Sequence, residues 1–267
     1  MNQTTLPIRK CILLSLSVLW LLAAPGAAFA GGMFGPPQTA SRVEGGLNTA
    51  IGYRYAEDTF KTSTDHVIRH NQIYSQVSYG GSGLWEIYGR IGISDLKISD
   101  AYSSGNVFTT TSKTGFQENW KFFGTLGAKA FYPVNGILGV GAFVQGSCNF
   151  SNFTDDVGGF YGATPFLADL KVKNLWDVNF GAALQATVPF GMKLYAGPYA
   201  YYARADASMT CGIPGIQSGD RTISWRNKSL AGGFFGADIP LGKGFRLNIE
   251  GQYTGRFSFG SAITYVY

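Results

Sequence analysis

Ten residues near the end of the chain, FRLNIEGQYT, put Phe245, Leu247, Ile249, Gly251 and Tyr253 on one parity and Arg246, Asn248, Glu250, Gln252 and Thr254 on the other. Side chains of a strand point alternately to its two faces, so the segment reads as a ribbon with one apolar and one wet side. A half-buried strand of a soluble sandwich carries the same local pattern. The rest of the chain has to decide between them.

Similar alternation recurs along the sequence. Phe116, Trp120, Phe122, Leu126 and Ala130 share a face opposite Gln117, Asn119, Lys121, Thr125 and Lys129. Leu170, Val172, Trp176, Val178, Phe180, Leu184 and Val188 oppose Lys171, Lys173, Asp177, Asn179, Gln185 and Thr187. Ten strand-like pieces are expected, within a range of eight to twelve: 43–57, 67–80, 84–98, 116–132, 137–151, 168–189, 193–207, 222–239, 245–257 and 259–267. Tight turns (GGSG, PVNG, PFGM, PLGKG) alternate with long polar connections until the last hairpin. A soluble sandwich has no need of that regularity, whereas a membrane barrel has short turns on one side and long loops on the other. The fold class read here is all-β, an up-and-down antiparallel transmembrane barrel whose apolar face meets lipid and whose polar face lines a lumen. Slipping FRLNIEGQYT by one residue would put Arg246 in hydrocarbon, at about 2–4 kcal/mol at mid-depth.

The chain opens with a basic stretch, MNQTTLPIRK, then a short apolar run and small residues at Ala28 and Ala30. That is the layout of a cleaved export signal over 1–30. Residues 31–42 are expected to form a short periplasmic segment and 43–267 the barrel. Losing Arg9 and Lys10 leaves 19 basic against 16 acidic residues, a balance too mild to suggest nucleic acid. The expected location is a bacterial outer membrane.

The last residues, SFGSAITYVY, carry Phe259, Ile263, Tyr265 and Tyr267 on one face and stop on an aromatic. Here the chain resembles the bacterial outer-membrane β-barrel proteins, whose last strand ends this way. The resemblance implies that Ile263, Tyr265 and Tyr267 form an insertion signal for the outer-membrane assembly machinery, with the lipid bilayer as the other partner. The order of WEIYGRIGISDLKIS, FFGTLGAKAFYPVNGILGVGAFVQGS and FGMKLYAGPYAYYARADAS is similar to strands of chlamydial-type major outer-membrane porins. This chain is too short for their larger barrel, and no residue roles follow.

The expected lumen face includes Arg54, Arg90, Lys121, Lys129, Lys171, Lys173, Asp177, Arg226, Lys228, Arg246, Glu250 and Arg256. Cations exceed acids there, so an open lumen would favour anions. Side chains alone also fill a barrel of this size. The sequence admits three functions, in this order: a small passive pore for solutes or a plugged structural barrel; a binder whose loops contact surface ligands; and a hydrolase. For the third, Asp65 with His66 facing Asp155 and Asp156 is similar to the layout of the omptin proteases. The spacing within each pair departs from theirs, so these read as solvated loop residues, and no enzymatic activity is expected. His66 and His70, four apart on a strand, stand over 10 Å apart at ~3.3 Å per residue, so no metal site is expected. No GxGxxG or GxxxxGK[ST] element opens a helix, and no cofactor is expected. Trp85, Trp120, Trp176 and Trp225 read as lipid face and interface girdle. Cys148 and Cys211, both expected near the loop end, either form a disulfide between neighbouring loops or stay apart, with Cys148 as a small apolar residue facing lipid.

Overall fold

The computed structural model describes residues 28–29, 33–41, 45–61, 65–102, 109–212 and 220–267. Most of the expected export signal lies outside them. Ten antiparallel strands form the wall: β1 (Gly46–Lys61), β2 (Asp65–Gly81), β3 (Trp85–Ile98), β4 (Phe116–Pro133), β5 (Leu138–Asn149), β6 (Thr164–Thr187), β7 (Lys193–Gly212), β8 (Ala231–Gly242), β9 (Phe245–Tyr253) and β10 (Phe257–Val266). Each pairs with its chain neighbour, and β10 pairs with β1 from Tyr55↔Phe259 to Asn48↔Val266. The ring is therefore closed, leaving no backbone edge at membrane depth.

Four short turns share one end of the barrel. In two of them both central residues have positive φ, Ser82 with Gly83 (54° and 71°) and Lys243 with Gly244 (51° and 83°). Such turns match the right-handed twist of a hairpin. Both ends of the ring wall meet at this turn end, where the Tyr267 amide donates to the Leu47 carbonyl.

Along β9 the expected inversion is present. Phe245, Ile249 and Tyr253 are exposed on the outer wall, while Asn248, Glu250 and Gln252 are buried inside. Ile51, 68 % exposed and five residues above the start of β1, sits about halfway up a span of roughly ten residues. Ile51→Arg is expected to cost about 2–4 kcal/mol in refolding titrations in lipid vesicles.

Above that belt the strands continue, and there the pattern turns over. In β7, Ala203, Ala205 and Ala207 point inward and are buried, while Arg204 and Asp206 pair outside. In β1, Phe60 points inward. Two stretches expected as loop contain strands: Phe153–Tyr161 pairs with the upper half of β6, and Thr109–Thr111 pairs with Phe153–Tyr161. The expected strand 222–239 is Asp220–Asn227 followed by β8, both on the same edge of β7. Between the pairs Arg204↔Arg226 and Ala200↔Ala231, three residues of β7 face four of the other strand, a bulge. Asn227 covers the interruption: its Oδ1 accepts from the Ala203 amide and its Nδ2 donates to the Tyr201 carbonyl. Arg226 and Asn227 then pair with Lys61 and Phe60, closing the wall a second time above the short β9–β10 hairpin.

These bulges correct part of the expected lumen. Lys171 and Lys173 lie beyond Asn174, whose φ of 50° marks the break after which Leu170 and Val172 turn inward. The two lysines are therefore on the outer face of the loop-end lobe. Arg226 and Lys228 also face outward, because Trp225 and Asn227 are the buried residues of that strand. Trp225 is thus in the interior, not in the lipid girdle.

Candidate functional site: an occluded lumen

The interior has three levels, beginning at the turn end, and the first and third are filled. Residues 33–41 do not lie below the barrel as expected; they run inside it. Phe34, 1 % exposed, stacks on Phe143 with centroids 4.1 Å apart and meets Tyr199 and Phe234 edge-on at 4.8 and 5.0 Å. The amides of Phe34 and Gly35 donate to the two carboxylate oxygens of Glu250 (2.9 and 2.8 Å), which also accept from Tyr195 Oη and Gln252 Nε2. Further along the strap, Lys129 donates to the Pro36 carbonyl while pairing with Glu86 at 3.2 Å. Thr39 Oγ1 donates to Glu86, and Lys193 donates to the carbonyls of Gln38 and Thr39. The wall is shaped for this segment: a Cβ at Gly141 would stand 2.4 Å from Pro37 Cβ, and one at Gly260 2.5 Å from Met33 Sδ. An unanchored periplasmic segment would place no such demand on the barrel.

Above the strap lies a small polar chamber lined by Arg54, Asp58, His70, Gln72, Asp177 and Tyr201, among others. Arg54 donates to Gln252, Asn179 to Asp177, and His70 Nδ1 lies 3.1 Å from the Asp95 carbonyl. The Gln72 amide, 1 % exposed, has no hydrogen-bond partner on either atom.

The third level is an apolar plug. Phe60, Ile68, Leu96, Phe116, Phe153 and Trp225, with residues from the upper halves of β6 and β7, form one buried cluster across the loop end. The outer faces of these strands are polar, so this lobe is packed as a soluble β-protein would be.

Arg54, Arg90, Lys129, Asp177, Arg246 and Glu250 face the lumen, Arg246 paired with Asp238 at 2.7 Å. Lys121 and Arg256 are partly exposed, paired with Glu118 and Glu57. With Lys171, Lys173, Arg226 and Lys228 outside, the expected cation excess is gone. From the turn end up to the plug the described lumen holds Arg54, Arg90, Lys129, Lys193 and Arg246 against Asp58, Glu86, Asp177, Asp238 and Glu250.

Cys148 and Cys211 are free thiols. Cys148 pairs across to Trp176 on one side of β6 and Cys211 to Ala168 on the other. Eight residues along a strand is about 26 Å, far beyond disulfide reach.

The residues weighed for a hydrolase each have other partners. Asp65 pairs with Lys228, whose ammonium holds the carboxyl below its usual range. His66 stacks on Trp225 at 5.4 Å, while Asp155 accepts from Lys113 and the Gln117 amide. Ile263 and Tyr267 are exposed on the outer wall, and Tyr265 packs against Phe245 and Tyr267. The strap's role was missed, although Met33 and Phe34, between glycines in an otherwise polar stretch, were its signal.

A closed ring of ten strands, apolar outside, polar inside and turned tightly at one end, defines an outer-membrane-type transmembrane β-barrel. No family model matches the chain, and none of the curated proteins does. Among solved structures, the chain is similar to the outer membrane protease OmpT from Escherichia coli (11% identity, 87% of this chain and 100% of that one, TM-score 0.43). It is also similar to the translocator domain of the autotransporter NalP from Neisseria meningitidis (10% identity, 82% and 88%, TM-score 0.41). A third is Ail, the attachment invasion locus protein of Yersinia pestis (13% identity, 84% and 100%, TM-score 0.33).

Proposed function

We propose that the protein is a closed barrel of the bacterial outer membrane that anchors and presents its loop-end lobe at the cell surface, and that it is not an open passive pore. On this reading the chain is exported by residues 1–30, and the assembly machinery recognises Ile263, Tyr265 and Tyr267. The lobe contacts surface ligands and carries out no catalytic step. One observation carries the proposal: the interior is occupied at two separate levels, by residues 33–41 and by the apolar plug. A solute crossing the barrel would have to displace both.

Planar-bilayer recording tests this. The intact protein is expected to be silent, and a form lacking residues 33–41 is expected to stay silent because the plug remains. Discrete conductance steps from the intact protein would reject the closed reading in favour of a pore. Steps only from the shortened form would show that the plug does not seal.

A further inference from the structure

Arg90 is 7 % exposed and projects from β3 into the lumen between the rings of Tyr74 and Tyr88, 5.0 and 4.7 Å from their centroids. Its Nε donates to Gln76 Oε1 at 2.6 Å. Its Nη1 has no hydrogen-bond partner, and among the described residues no carboxylate lies within 4.0 Å of it. A guanidinium cannot shed its proton at any ordinary pH, so burial leaves it charged and in need of an acceptor.

The space it faces is the lower chamber, between the strap and the wall, lined also by Asn48, Gln76, Lys129, Asp238 and Arg246. Lys129 is matched by Glu86 and Arg246 by Asp238. Two cations and one acid remain in this part of the lumen. Lys193 is bound to strap carbonyls, and Glu250 is saturated by four neutral donors. The chamber itself is thus lined by three cations, Arg90, Lys129 and Arg246, against two carboxylates, Glu86 and Asp238, while in the chamber above, Glu57, Asp58 and Asp177 outnumber Arg54. The imbalance is local to each chamber and favours a negative guest in the lower one.

We propose that the lower chamber binds one small monovalent anion, a halide or the carboxylate of a small organic acid, on Arg90 Nη1. The two flanking tyrosine rings hold the guanidinium plane, and the chamber has room for only a few water-sized bodies. A large dianion would not fit. The inference goes beyond the closed-barrel reading, since the site lies beside the strap.

The experiment uses the whole folded protein. Crystals grown in gluconate and transferred to bromide are expected to show one anomalous peak in the lumen, in contact with Arg90. Thermal unfolding in detergent at fixed ionic strength is expected to move upward and saturate as gluconate is replaced by bromide or by formate, and to be flat in Arg90→Met. Response to bromide alone assigns a halide site; response to both assigns a general anion site that admits a carboxylate head. Absence of bromide at Arg90, or an unchanged salt response in Arg90→Met, overturns the proposal. If that variant does not fold, the bromide peak in the unaltered protein decides. A silent bilayer with no bromide would reject the site and leave the closed barrel standing.

Discussion

Phe116→Ala is expected to lower the free energy of unfolding by about 3–5 kcal/mol, the range for deleting a fully buried phenylalanine. Phe116 is 1 % exposed and belongs to the plug, where Ile98 pairs beside it across the β3–β4 ladder. Removing its ring leaves a void bounded by backbone already fixed in a closed sheet, so the walls cannot collapse to fill it. Polar water has little to bind in such a void, and the lost contacts are not replaced. Guanidinium titration of the detergent-folded protein, followed by tryptophan fluorescence, measures the effect. Trp225 sits in the same cluster and reports on it directly. A loss below about 1 kcal/mol would mean that the loop-end interior is loosely filled, and the case for a sealed lumen would fall with it.

The membrane part of the wall was legible because lipid reverses the usual rule uniformly around the ring. Every strand there presents oil outward, and a period of two in FRLNIEGQYT is enough to assign Glu250 to the interior and Ile249 to the exterior. The lobe was not legible for the same physical reason. Along a single strand the surroundings change from hydrocarbon to water, so the alternation that means lumen-in for Asp177 means solvent-out for Lys171 and Lys173, ten residues or fewer away. A one-residue offset at Asn174 moves Leu170 and Val172 from the expected lipid face into the plug. Nothing in the local composition announces that offset; Asn tolerates positive φ but does not demand it. Asn227 is similar. A polar residue in a polar stretch looks like loop, and its function as a substitute for two backbone hydrogen bonds appears only once β7 lies beside it. The strap escaped for another reason: a segment of nine residues has no period to read. Its contacts are made to side chains more than 40 positions away.

Glu250→Ala is expected to release that strap while leaving the ring of strands intact. The carboxylate is 1 % exposed and each of its oxygens accepts two hydrogen bonds, Oε1 from Phe34 and Gln252, Oε2 from Gly35 and Tyr195. Hydrogen bonds to a charged group contribute about 1.5–3 kcal/mol each, so losing the two made to the strap should weaken its hold by about 3 kcal/mol or more. That corresponds to at least a hundredfold loss of amide-exchange protection at Phe34 and Gly35. Glu250→Gln should fall between, because one oxygen survives and the other becomes an amide nitrogen that offers its donors to donors. Phe34 keeps its ring contacts with Phe143, Tyr199 and Phe234 in either variant, so the loss isolates the carboxylate's share. Amide exchange across β9 and β10 supplies the internal control: those ladders run between backbone groups and should keep their protection. Equal loss in the strap and in the ladders would show that Glu250 supports the wall as a whole, and unchanged protection at Phe34 and Gly35 would show that the strap is held by packing, with the carboxylate idle.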